Sequence, residues 1–170
     1  MKLKGVRKLN REMTKIFAKR FGIKSVKLST YYAYFPTKES ITFQIVECEE
    51  NEWFAQYIEE RFGYRVEYPF LISMLHEVGH HKTLDDLGEN VYNFCQDEKD
   101  YIENMLQDEE LTEEEQRKYE WQYFNLPDEI IATAWAVKYA TKHPRIMKKL
   151  NKQIMELLQE FYEVNNIEVE

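Results

Sequence analysis

The 170-residue chain predicts an α+β fold: a small antiparallel or mixed sheet of about three strands near the start, then a helical body. Three features predict it. Two runs between residues 27 and 48 are dense in Thr, Tyr, Phe, Ile and Val, which suit a pleated, half-buried surface. From residue 51 onward apolar side chains recur at helical spacing, punctuated by Gly and Pro. No repeat or low-complexity segment interrupts the chain, so its 44% of hydrophobic residues can serve one core. A single domain over 1–170 is expected, with a basic helix or arm over 1–27 and a motif-bearing core over 64–140.

Leu9, Met13, Ile16, Phe17 and Phe21 follow helical spacing, and Gly22 ends that helix. The runs Lys27–Phe35 and Ser40–Cys48 predict strands, joined by a hairpin turn at Pro36–Glu39. Alternation in the second run (Ile41, Phe43, Ile45 against Thr42, Gln44, Val46) predicts a half-buried strand near a sheet edge. Asn51 suits the N-cap of a helix over Glu52–Phe62, whose stripe is Trp53, Phe54, Tyr57, Ile58 and Phe62. Tyr64–Tyr68 fits a short third strand or an extended lead-in. Pro69 then opens a helix to about His81.

Thr83 with Asp86 resembles the start of another helix, with a patchy apolar pattern through Val91, Phe94, Cys95, Tyr101, Ile102 and Met105. Thr112 and Glu115 form a capping-box pair for a helix to about Phe124. Pro127, Asp128 and Glu129 suit the first turn of a helix to about Lys142, broken at His143-Pro144. A last helix over Arg145–Val164 carries Ile146, Leu150, Ile154, Leu157, Leu158 and Phe161.

The net charge of −8 is uneven. Residues 1–27 hold ten of the 23 Lys/Arg and only Glu12 of the acids, leaving the remainder strongly acidic. A basic arm can touch phosphates, but so acidic a body repels a polyanion, which argues against nucleic acid as the partner. Ten acids and one base, Lys99, fall within 97–115, the pattern of a solvated face or mobile insertion. No apolar run approaches 18 residues, so no membrane span is expected, and the N-terminus lacks the apolar stretch of a secretory signal. Cys48 and Cys95 are far apart and read as reduced thiols, consistent with a cytoplasmic protein.

The apolar run 70–75 ends in His76-Glu77-Val78-Gly79-His80, a His-Glu-x-x-His pattern on a predicted helix. Histidines four apart share a helical face, so two neutral imidazoles can reach one zinc ion. Glu77 stands where a carboxylate can take a proton from an attacking water. The surrounding Leu71, Ile72, Met74 and Leu75 place this helix in a core, where polar side chains need partners and a metal would be one.

Catalytic zinc sites usually take three protein ligands. His81 points about 100° round the helix from His80, away from the shared face. His143, at a helix end beside Pro144, suits capping better than ligation. Glu129 is preferred: Ala132 and Ala136 share its face, and small residues let its helix approach the motif helix closely. Gly79 fits the same contact, since an interior helical Gly costs about 1 kcal/mol against Ala and calls for a packing reason. Asp128 remains the alternative third ligand, otherwise a capping or supporting acid.

Glu129-Ile-Ile-Ala132-Thr133-Ala134-Trp135-Ala136, following the His-Glu-x-x-His segment, resembles the second motif of the ImmA/IrrE family of zinc metallopeptidases, Glu-x-x-Ala-Asn-x-Phe-Ala. The resemblance covers roughly 64–140, with Thr133 in place of Asn and Trp135 in place of Phe. It implies a zincin-like helical body, zinc on His76, His80 and Glu129, and Glu77 as general base. It also implies an origin in a phage or mobile element and a protein or peptide substrate. Oxyanion stabilisation is expected from a tyrosine or histidine, with Tyr64, Tyr68, Tyr139 and His143 all open. The strand Ile41–Cys48 offers an edge to an extended peptide. The alternative function is a metal-stabilised regulatory or inhibitor protein that binds another protein without cutting it.

Overall fold

The computed structural model describes residues 3–44 and 49–167. Within them seven α-helices accompany a three-stranded mixed sheet, an α+β fold. The helices are α1 (Val6–Phe21), α2 (Glu49–Phe62), α3 (Pro69–Leu87), α4 (Glu89–Leu106), α5 (Glu113–Phe124), α6 (Pro127–Lys142) and α7 (Pro144–Asn165). The strands are β1 (Ser25–Ser29), β2 (Ala33–Phe35) and β3 (Ser40–Gln44).

The sheet order is β1-β3-β2, with β1 parallel and β2 antiparallel to β3. The expected first strand is therefore two strands. The chain turns at residues 30–32, where Thr42 Oγ1 donates to the Tyr31 carbonyl at 3.0 Å. The hairpin at Pro36–Glu39 forms as expected: a 3₁₀ turn ends with Glu39 at φ 45°, its N–H donating to the Pro36 carbonyl. The third strand is thus β2, and residues 64–68 are an irregular lead-in to α3. β3 is not near an edge. Paired on both sides, it buries Ser40, Ile41, Thr42 and Phe43, so both of its faces are covered. The expected extension over Ile45–Cys48 lies outside the described residues.

The basic N-terminal segment is a packed helix that buries Leu9, Met13, Phe17 and Phe21. Its polar side chains complete the sheet. Val26 N–H donates to Thr14 Oγ1 at 2.9 Å and Leu28 N–H to Asn10 Oδ1 at 2.8 Å, satisfying the outer edge of β1. At the far end of the chain Asn165 clasps Lys4. Its Oδ1 accepts from the Lys4 N–H at 2.7 Å, and its Nδ2 donates to the Lys4 carbonyl at 3.1 Å.

α2 begins at Glu49, so Asn51 is not its N-cap. Asn51 is buried and accepts from Ser73 Oγ at 2.8 Å, tying α2 to α3. α3 runs past His81 to Leu87 because nothing breaks it before Gly88, at φ 80°. Thr83 lies inside α3 with its hydroxyl donating to the Gly79 carbonyl at 2.8 Å, so it caps no helix. Residues 71–79 are buried without interruption, which makes α3 the central helix.

The acidic segment folds as the ends of α4 and α5, with the Thr112–Glu115 capping box formed. Cys95 and Ile102 of α4 join Leu126 in a small second cluster, so one face of this segment is packed. No helix among the described residues is long and apolar enough to cross a membrane.

The contact that positions the site is α3 on α6. A Cβ built on Gly79 would lie 2.3 Å from the Ala132 carbonyl oxygen and 2.9 Å from its Cα. Only glycine lets the two backbones meet there. The small residues Ala132 and Ala136, both fully buried, complete the contact from α6.

Candidate metal centre

α3 presents His76 and His80 one turn apart, and the close α3–α6 contact brings Glu129 opposite them. His76 Nε2 is 2.8 Å from Glu129 Oε2, His80 Nε2 is 3.3 Å from Glu129 Oε1, and the two imidazole Nε2 atoms are 3.2 Å apart. Zinc bonds of about 2.0–2.1 Å in a tetrahedron put ligand atoms about 3.3 Å from one another. The three side chains therefore lie close enough together to hold a metal ion. Glu129 is 2% exposed and His76 4%, while His80 borders the cleft described below.

Hydrogen bonds from α6 fix the orientation of His76. Thr133 sits one turn after Glu129, and its hydroxyl donates to the Glu129 carbonyl at 2.8 Å. A carbonyl only accepts, so the single hydroxyl proton is committed there. The 3.0 Å contact between Thr133 Oγ1 and His76 Nδ1 must then have the imidazole donating. Nδ1 of His76 is thus engaged by Thr133, which leaves Nε2 facing His80 and Glu129. Burial alone would raise the Glu129 carboxyl, but the His80 and His76 imidazoles outweigh it and hold it well below the usual carboxylate range. Two imidazole nitrogens and a carboxylate converge as a group that can hold a metal ion.

Three further ionisable groups frame the centre. Glu77 is 6% exposed, and burial pushes its carboxyl up to about 7, opposed by His76 and reinforced by Glu129. Asp128 does not join the ligand set. Its Oδ1 accepts the Glu129 N–H at 2.9 Å and its Oδ2 holds the Lys99 ammonium, so it is the supporting acid. Lys99 also meets Glu129 Oε1. Burial alone would lower the Lys99 ammonium, yet Glu129, Tyr123 and Asp128 more than offset it and keep it charged.

A cleft of about 840 Å³ opens over these residues. One side is formed by residues 31–36 around β2, the other by α4 and α5 with Lys99, Asp100, Glu103 and Tyr123. None of the four residues expected near an oxyanion lines it. Tyr68 donates to Glu67, Tyr139 stacks on Trp135, and exposed His143 lies against Tyr139 at the α6–α7 junction. Tyr64 packs at the margin of the main core. Tyr31, Tyr32, Tyr34, Tyr92 and Tyr123 line the cleft instead. Burial pushes the Tyr123 phenol upward and Glu129 adds to it, so this hydroxyl stays a donor. His81 points away as expected, its Nδ1 3.0 Å from Tyr34 Oη.

The sequence reading missed Lys99 and the role of Thr133. A signal existed for each: Lys99 is the lone base among ten acids, and Thr133 is one helical turn from Glu129. No family model, curated protein or solved structure matches this chain.

Proposed function

We propose that this chain is a zinc-dependent peptidase, with His76, His80 and Glu129 as ligands and Glu77 as general base. The observation that carries the reading is the zinc-sized spacing of these three ligand atoms, with a buried carboxyl beside the first of them. The resemblance of the two motifs to the ImmA/IrrE metallopeptidases supports it.

When bound, zinc supplies a Lewis acid that polarises a carbonyl and acidifies water. The chain's own residues supply the rest. Thr133 engages His76 Nδ1 and leaves Nε2 to ligate. Glu77, with its carboxyl near 7, can take a proton from the attacking water at neutral pH and return it to the leaving amine. Tyr123 offers a phenol from the cleft wall to the developing oxyanion. β2 pairs with β3 on one side and lines the cleft through residues 33–35. An extended peptide can add to it as a further strand, which suits a protein substrate. The strand expected to play this part, Ile41–Cys48, is internal over residues 41–44.

Metal analysis and proteolysis together test the reading. Wild-type and Glu77→Gln protein should each bind one zinc, Glu129→Ala should bind none, and Asp128→Ala should retain the metal more weakly. Only the wild type should cleave an unstructured protein substrate. Failure of the wild type to take up zinc would refute the centre. Zinc uptake with equal cleavage by wild type and Glu77→Gln would reject Glu77 as base. Zinc uptake with tight partner binding and no cleavage would favour the regulatory binding protein.

A further inference from the structure

Lys99 reaches from α4 to the start of α6, and its side chain is 12% exposed. Its ammonium meets Asp128 Oδ2 and Glu129 Oε1. Glu129 Oε1 is also the oxygen nearest His80 Nε2, at 3.3 Å, while Oε2 faces His76. One ligand oxygen is therefore claimed by two cations, the ammonium and any metal drawn to the imidazoles. Like charges a few ångströms apart in a buried site repel strongly. With no metal bound, the ammonium joins the two imidazoles as a partner of the buried Glu129 carboxylate, and a buried charge is costly without such partners.

We propose, resting on the zinc reading above, that Lys99 is the resident counter-cation of the metal centre: it neutralises Glu129 when the centre is empty and yields that carboxylate to an incoming divalent ion. Two neighbours give the displaced ammonium somewhere to stay. Asp128 spends Oδ1 on the Glu129 N–H and keeps Oδ2 for Lys99, and Asp128 is not a ligand. The Tyr123 ring lies 5.2 Å from Nζ and offers its face. Lys99 thus preserves the third ligand at the expense of metal affinity. It is a positioning residue acting through Glu129.

Chelator-competition titrations with zinc alone, on metal-stripped wild type and Lys99→Met, test this. Lys99→Met should bind zinc about tenfold tighter or more. Its metal-stripped form should melt below the wild type, and zinc should raise its melting point by more than it raises the wild type's. Zinc affinity equal to or weaker than wild type overturns the role of Lys99 while leaving the zinc centre standing. No zinc uptake by the wild type removes both. Should Lys99→Met fail to fold, a crystal structure of zinc-loaded wild type decides. An ammonium on Asp128 and off Glu129 supports the inference. An ammonium still within about 3.2 Å of a Glu129 oxygen overturns it.

Discussion

Replacing Gly79 by alanine sets packing against helix propensity, because the two act in opposite directions. Alanine in a helix interior is favoured over glycine by about 1 kcal/mol. At position 79, however, the added Cβ would lie 2.3 Å from the Ala132 carbonyl oxygen, with Ala132 C and Cα both at 2.9 Å. These are backbone atoms, which cannot swing aside as a side-chain tip can. The helices must part by roughly 1 Å, and overpacking of this kind costs about 1–3 kcal/mol. A clash of backbone on both sides belongs at the upper end, leaving a net loss of about 2 kcal/mol after the propensity gain. For a domain of this size that is a fall in Tm of roughly 4–8 °C. Thermal unfolding followed by circular dichroism measures it. The same parting would move Glu129 from His76 and His80, and a misplacement of about 1 Å can cost on the order of 10²-fold in rate. A Gly79→Ala protein as stable as wild type, or more stable, would refute the claim that α3 and α6 meet through this residue.

Two other expectations concern single groups. Glu77 has its carboxyl raised to about 7 from an ordinary value of 4.5, so the folded protein binds this proton more tightly than an unfolded chain. In metal-stripped protein the stability of wild type relative to Glu77→Gln should therefore fall as pH rises from about 4.5 to about 7 and stay level above. The full drop is on the order of 3 kcal/mol. Urea titrations across that range would show it, and a flat difference would contradict the burial of this carboxyl. Thr133→Val removes the acceptor that engages His76 Nδ1, so zinc affinity should fall about 10–100-fold, whereas Thr133→Ser should retain it. Chelator competition reads both, and equal affinity in Thr133→Val would dismiss the hydroxyl.

What could be read in advance divides along physical lines. α3 and α6 were legible because each combines a strong start signal, Pro69 or Pro127, with an unbroken apolar pattern. Gly79 and Ala132 foretold their approach, since a helix tolerates an interior glycine for a packing reason. The sheet was less legible. Residues 27–35 form one β-rich run by composition, yet the chain reverses inside it without a Gly or Pro to mark the turn. Pairing order depends on contacts distant in sequence, so nothing local distinguished β3 as the middle strand. Helix ends failed where a polar side chain had another use: Asn51 accepts from Ser73 on α3, and Thr83 donates back one turn to the Gly79 carbonyl within α3. Lys99 was hidden by its neighbours' charges, because composition averages over a helix whose two faces differ.

The clasp between Lys4 and Asn165 sets the first and last of the described residues side by side. Backbone connectivity between them is thus interchangeable with connectivity elsewhere. A short linker could join these ends while new termini open in the exposed α4–α5 turn at residues 108–110, where no buried backbone would be cut. Such a circular permutant would place Glu129 ahead of His76 and His80 in chain order while leaving their spatial relation untouched.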